Sequence, residues 1–207
     1  MQWILKGIEK FQKEVFPRHR ARFEALATRQ SPKLLLITCA DSRIDPNLVT
    51  QTHPGDLFLV RNAGNLVPPD AAAGSEAATI EYGIRVLGIR DVVVCGHTDC
   101  GAMKSLLQRG TLEELPAVRR WLETAAPALR VLERRGLAPD DPDALRAVTE
   151  ENVLVQLDHL RAHPAVAAAN VRLYGCMYEI STGTFLAHDP ARGAFVPLPE
   201  AGLDREE

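Results

Sequence analysis

Long hydrophobic runs are missing from this 207-residue chain: no segment approaches the roughly 20 apolar residues a helix needs to cross a bilayer. The opening Met1-Gln2-Trp3-Ile4-Leu5-Lys6 lacks the basic segment, apolar core and cleavage site of a secretory leader, so a reducing, cytoplasmic setting is expected. Charge of one sign is scarce too. Lys plus Arg number 24 and Asp plus Glu 27, a net charge of -3, which favours neither nucleic acid nor an anionic membrane as partner. A Gly-x-Ser-x-Gly elbow is absent, so Ser42 reads as loop support rather than a nucleophile. Repeats and long linkers are lacking, and one domain over 1–207 is expected, with a helical arm at 1–29 and a flexible charged tail from about 198 to 207. What is there is the mix of an ordinary globular protein, 46% hydrophobic and 25% charged.

Periodicity predicts an α/β fold: a mostly parallel central sheet with flanking helices and an N-terminal helical arm. Trp3, Ile4, Ile8, Phe11 and Val15 recur at helical spacing until Pro17, and that apolar stripe must bury itself on its own core or on a second subunit. Strands are expected at 33–38, 57–60, 91–95 and 171–180, with a return strand at 184–187 after the turn Ser181-Thr182-Gly183. Helices are expected at 71–87, from Cys100 to Leu107, and through 112–163 with a break near Gly136, Pro139 and Pro142. Strand and helix alternate, which favours parallel pairing.

Cysteines number only four. Cys95 and Cys176 sit in apolar surroundings and read as small buried hydrophobes. Cys39 opens Cys39-Ala40-Asp41-Ser42-Arg43, and Cys100 closes His97-Thr98-Asp99-Cys100. Two thiolates and one imidazole supply three of the four positions of tetrahedral zinc, and an open fourth position is the mark of a catalytic site. Cys39 falls at the end of the first strand and His97 just past the third, where ligands gather in open α/β sheets. Gly96 and Gly101 flank the second motif and are expected to let the backbone approach a metal. Asp41 and Arg43 are spaced for a bidentate pair that fixes the carboxylate beside the metal. His19, His159, His163 and His188 lack ligand spacing and read as surface residues, and His53 reads as an exposed loop residue, with a proton shuttle as the alternative.

These motifs resemble the β-class carbonic anhydrases. The similarity runs through Gln30-Ser31-Pro32-Lys33, Cys39 to Arg43, Pro54-Gly55-Asp56-Leu57-Phe58, Arg61-Asn62-Ala63-Gly64-Asn65, Ile80-Glu81-Tyr82 and Cys95 to Met103, and returns weakly at Tyr174 to Gly183. The resemblance implies zinc-dependent, reversible hydration of carbon dioxide to bicarbonate and a proton. Cys39, His97 and Cys100 would hold the metal, with solvent as fourth ligand in an open form and Asp41 in a closed one. It implies Asp41 and Arg43 as the catalytic pair and Gln30, Phe58, Tyr82 and the Gly101 N–H as substrate contacts, some lent by a neighbouring subunit of a homo-oligomer that is at least a dimer. One subtype carries Trp three residues before the first Cys, within an inhibitory bicarbonate pocket; Leu36 stands there, so the chain resembles the subtype open at neutral pH. Arg61 and Tyr178 match other members of that pocket and leave a pH switch open. The stretch 42–68 is also similar to the cyanobacterial, carboxysome-associated branch, which implies carboxysome proteins as partners.

Two other functions stay open at this point. The same zinc serves carbon disulfide or carbonyl sulfide hydrolysis in some members of the fold. A structural zinc closed permanently by Asp41 would instead make a non-catalytic scaffold. Phe58 on a strand and Tyr82 on a helix also suit plain packing, and Gln30 before Ser31-Pro32 suits a helix end.

Overall fold

Alternating apolar strands and amphipathic helices fold into one six-stranded sheet flanked by helices. The computed structural model describes residues 1–69 and 74–198; the expected tail from 199 onward and the segment 70–73 lie outside the described residues. Helix α1 (Gln2–Lys10) passes through a wide π-type turn at Phe11–Val15 and a tight turn at Phe16–His19 into α2 (Arg20–Leu26). Pro17 takes an early position of the tight turn, where its missing N–H costs nothing, so the path bends without stopping. Phe11, Phe16 and Phe23 pack together, with ring centroids 5.4 to 6.2 Å apart. Arg22 ties α2 down, donating to the Pro54 carbonyl and to Asp56, each at 2.9 Å. The apolar stripe of α1 stays uncovered: the helix buries no residue, and Trp3 is 76% exposed.

Strand β1 (Leu34–Cys39) leads through α3 (Pro46–Thr50), capped by the Asp45 carboxylate, to β2 (Leu57–Asn62). Helix α4 (Ser75–Glu81), prolonged by a π-type turn at Tyr82–Val86, precedes β3 (Asp91–His97). Then come α5 (Gly101–Leu107), α6 (Pro116–Leu122), α7 (Arg130–Arg135), α8 (Ala144–Ala162) and α9 (Pro164–Ala167). Gly136, at φ +64°, ends α7 in the left-handed conformation that glycine adopts most cheaply. The chain closes with β4 (Arg172–Glu179), β5 (Thr184–Asp189) and β6 (Ala194–Pro197). The expected strands are all present, each displaced, lengthened or trimmed by a residue or two. The short α3 and β6 carry too little periodicity to be read in advance.

The sheet order is β2-β1-β3-β4-β5-β6, with the first four strands parallel and the last two antiparallel. From β1 the chain steps outward to β2, then crosses back over β1 to β3. The winding reverses between β1 and β3, which opens a crevice at their carboxyl ends. One sheet face, with Leu35, Ile37, Val92 and Val94, packs on Ile80, Ile84 and the α8 residues Val153, Leu157 and Leu160. Each such aliphatic side chain contributes about 1.5–3 kcal/mol on burial. The other face gathers Leu36, Cys95, Cys176 and Ala187, so both cysteines are buried as expected.

Gly96 does not serve approach to a metal: a Cβ there would meet Met177 Sδ at 2.8 Å and Val153 Cγ2 at 2.9 Å, so its bareness lets α8 close on β3. At Gly101 a Cβ would meet nothing within 4 Å. His163 is not a surface residue but 4% exposed, and its Nδ1 accepts from the Ala165 N–H to cap α9.

Arg172 clamps the start of β4 to β3 through two bonds of 2.6 Å to the Asp91 carboxylate, holding that carboxyl below its ordinary range. A depressed folded pKa stabilises above the unfolded value of about 4 and loses its effect as pH falls through the folded one. Arg172→Met is therefore expected to lower the melting temperature at pH 7, and the deficit should close in thermal scans taken well below pH 4 or so.

Candidate active site

Cys39 is the last residue of β1, His97 the last of β3, and Cys100 stands immediately before α5. Thr38 is level with Cys95 across the parallel pair, so the two strand ends arrive side by side. Sγ of Cys39, a ring nitrogen of His97 and Sγ of Cys100 lie within 4.8 Å of one another, all buried. His97 Nδ1 is 2.9 Å from the Thr98 carbonyl. A carbonyl only accepts, so Nδ1 carries the proton and Nε2 presents a bare lone pair. Nε2 is buried with no hydrogen-bond partner, a costly state for a polar atom. The Cys39 thiol is pushed down, chiefly by the hydrogen bond from Cys100 and further by the neighbouring His97 ring and the Gly64 and Asp41 N–H groups, while Cys100 is driven far up because it keeps the proton. A lone pair with no donor and two sulfurs sharing one proton form a donor set that fits a soft divalent cation.

Asp41 and Arg43 form the expected bidentate pair. Arg43 Nε donates to Oδ1 at 2.9 Å and Nη2 to Oδ2 at 2.8 Å, and the Arg43 backbone N–H adds a bond of 3.0 Å to Oδ1. These bonds hold the Asp41 carboxyl far below the carboxylate range. Oδ2 lies 3.8 Å from His97 Nε2, facing the ligand cluster. Arg61 donates to the carbonyls of Cys39 and Asp41 at 2.9 to 3.1 Å and fixes the loop backbone. Leu36 and Tyr178 line an apolar recess with Cys95, Cys176 and Phe185.

Sequence reasoning missed the support behind Cys39. Gly64 N–H points at its sulfur at 3.4 Å, from a loop fastened to α8 by buried amides. Asn152 Nδ2 donates to the Gly64 carbonyl (3.0 Å), Gln156 Nε2 to Asn152 Oδ1 (2.9 Å), and Val67 N–H to Gln156 Oε1 (2.8 Å). Trp121 Nε1 adds a bond of 2.8 Å to the Ala63 carbonyl. The available signal was two amides four residues apart on a helix face otherwise filled by Val153, Leu157 and Leu160.

Gln30, Phe58 and Tyr82 form a second group. The Phe58 and Tyr82 rings stack at 6.2 Å, and Gln30 and Tyr82 share an open depression with Leu26, Gly55 and Leu87. Phe58 is level with Leu35, four residues before Cys39, which puts the pair about 13 Å back along the strands from the Cys39-His97-Cys100 group. The structure gathers each group but does not join the two within one chain.

This is an α/β protein with a buried Cys-His-Cys cluster at the winding reversal of its sheet. A family model described as carbonic anhydrase matches residues 34–185. A carbonic anhydrase of Pseudomonas aeruginosa is 43% identical over 205 residues, covering 97% of this chain and 93% of the relative. One from Synechocystis is 41% identical over 213 residues, covering 100% of this chain and 77% of the relative. The solved β-carbonic anhydrase CcaA superposes with a TM-score of 0.90 at 41% identity, covering 95% of this chain and 91% of that one. The chain belongs to the β-class carbonic anhydrases and is a carbonate dehydratase. No helix of the described residues is long and apolar enough to cross a membrane.

Asn152→Leu strips the Gly64 carbonyl and the Gln156 amide of a buried partner and is expected to cost roughly 1–3 kcal/mol of stability, read by urea denaturation. A change near zero would remove the amide ladder as a support of the Cys39 loop.

Proposed function

We propose that Cys39, His97 and Cys100 hold zinc and that the site hydrates carbon dioxide reversibly to bicarbonate and a proton. The observation that carries this is the buried, unpartnered Nε2 of His97 facing two sulfurs. Zinc so held supplies a Lewis acid that makes water ionisable near neutral pH. Asp41, kept anionic by Arg43, would accept a hydrogen bond at Oδ2 from a water in the crevice and so orient it, and would not store the proton. Both Asp41 oxygens are engaged by Arg43, which supports an open fourth position over a closed structural zinc. Gln30 donates its amide N–H to a substrate oxygen, the Gly101 N–H at the start of α5 offers a second contact, and Phe58 and Tyr82 wall an apolar slot for a nonpolar gas.

The separation of the two groups argues that each working site takes its metal from one chain and its slot from a second copy. The bare stripe on α1 suits the same partner. Four unpaired cysteines suit a reducing compartment.

Stopped-flow hydration of carbon dioxide by the zinc-loaded protein tests the activity, and a rate no higher than buffer at alkaline pH with one zinc per chain ends the claim. Cys39→Ser should lose zinc and activity together, whereas Asp41→Ala should keep zinc and lose on the order of a hundredfold in kcat. Mixing refolded Cys39→Ser and Gln30→Ala chains should restore about a quarter of parental activity, since half of random dimers are mixed and each carries one whole site. No recovery would place both groups of residues in one chain's site.

A further inference from the structure

Arg43 is held on both sides. Its inner edge grips the Asp41 carboxylate, and its outer edge grips Asp99: Nη1 donates to Asp99 Oδ2 at 3.0 Å and Nη2 to the Asp99 carbonyl at 3.1 Å. Asp99 is itself fixed, since Lys104 on α5 takes its other carboxylate oxygen. Asp99 also stands at φ +61°, a left-handed conformation uncommon outside glycine, within the turn between His97 and Cys100. The contacts close a ring through both ligand-bearing loops, from Cys39 by way of Asp41, Arg43 and Asp99 to Cys100.

An exposed ion pair contributes little as a rule. This one differs in geometry. With Asp99 in place, Nε and both terminal nitrogens of Arg43 have directed partners. Without the Asp99 carboxylate Nη1 faces water, as the Arg43 side chain is already 43% exposed, and a single bond to the Asp99 carbonyl is left on the outer edge. The guanidinium then gains freedom to swing, and the Asp41 carboxylate turns with it.

We infer that Asp99 is a positioning residue, whose carboxylate locks the Arg43 guanidinium and through it keeps Asp41 Oδ2 aimed at the metal ligands. The inference rests on the hydration chemistry proposed above and names a residue that chemistry does not require.

Asp99→Gly removes the carboxylate while keeping the backbone carbonyl and a left-handed φ; Asp99→Asn keeps one oxygen acceptor. In the zinc-loaded protein, Asp99→Gly is expected to lower kcat by roughly ten- to a hundredfold with KM within about twofold, and Asp99→Asn to recover most of it. The Arg43 Nε–Hε resonance in nitrogen-15 spectra should be sharp and slowly exchanging in the parent and Asp99→Asn, and broadened in Asp99→Gly. A kcat within about twofold of the parent, or an Arg43 resonance that does not change, overturns the inference. Asp99→Ala serves the same comparison if the glycine variant does not fold. A parent without hydration activity sinks the chemistry, and the Arg43 resonance then still judges the clamp.

Discussion

A single imidazole lone pair, buried and unanswered, is the constraint on which the rest of the structure depends. His97 is locked by its own neighbour: the Thr98 carbonyl accepts a hydrogen bond from Nδ1–H, so Nε2 has nothing to offer but an electron pair. Burying such an atom without a partner opposes folding, and burying two sulfurs beside it adds to the cost. The fold accepts both because the reversal between β1 and β3 brings two strand ends level and leaves a crevice there. Thr98 reinforces the arrangement, since its N–H donates to the Tyr178 carbonyl and its hydroxyl accepts from Ile180 N–H, tying the ligand turn to the end of β4.

The polar groups around the cluster form a hierarchy of restraints. Arg61 fixes backbone, Arg43 fixes a carboxylate, and the amide pair on α8 fixes the loop that sends Gly64 toward Cys39. Directional bonds of this kind hold a site to within the tolerance chemistry needs, whereas the apolar packing behind them sets only its approximate place. The division of labour matches the chain's layout: the motifs carry the clustered sulfur, imidazole and carboxylate groups, and a helix more than 80 residues away from the Gly64 loop carries part of their support.

The sheet and the meeting of Cys39, His97 and Cys100 were legible because they rest on local signals. Leu34 to Cys39 and Asp91 to His97 are near-continuous apolar runs, as strands covered on both faces must be, and Cys-x-Asp-x-Arg with His-x-x-Cys names its own chemistry. Support from a distance was not legible. Asn152 and Gln156 read as ordinary helix residues, because hydrogen-bond partners 88 and 89 positions away leave no trace in spacing. Gly96 was misread for a related reason: a glycine beside a metal motif invites a chemical explanation, and only the positions of Val153 and Met177 reveal a packing one. Asp99 was quoted as part of a motif, yet its grip on Arg43 depends on how two loops meet.

That packing at Gly96 has an evolutionary corollary. Even a methyl group at this position collides with side chains from α8 and β4. In descendants of this sequence a side chain at residue 96 requires Val153 and Met177 to shift or change with it, which couples three sites far apart in the gene. The glycine next to His97 would then stay invariant through helix packing alone, and its constancy across relatives would say nothing about catalysis.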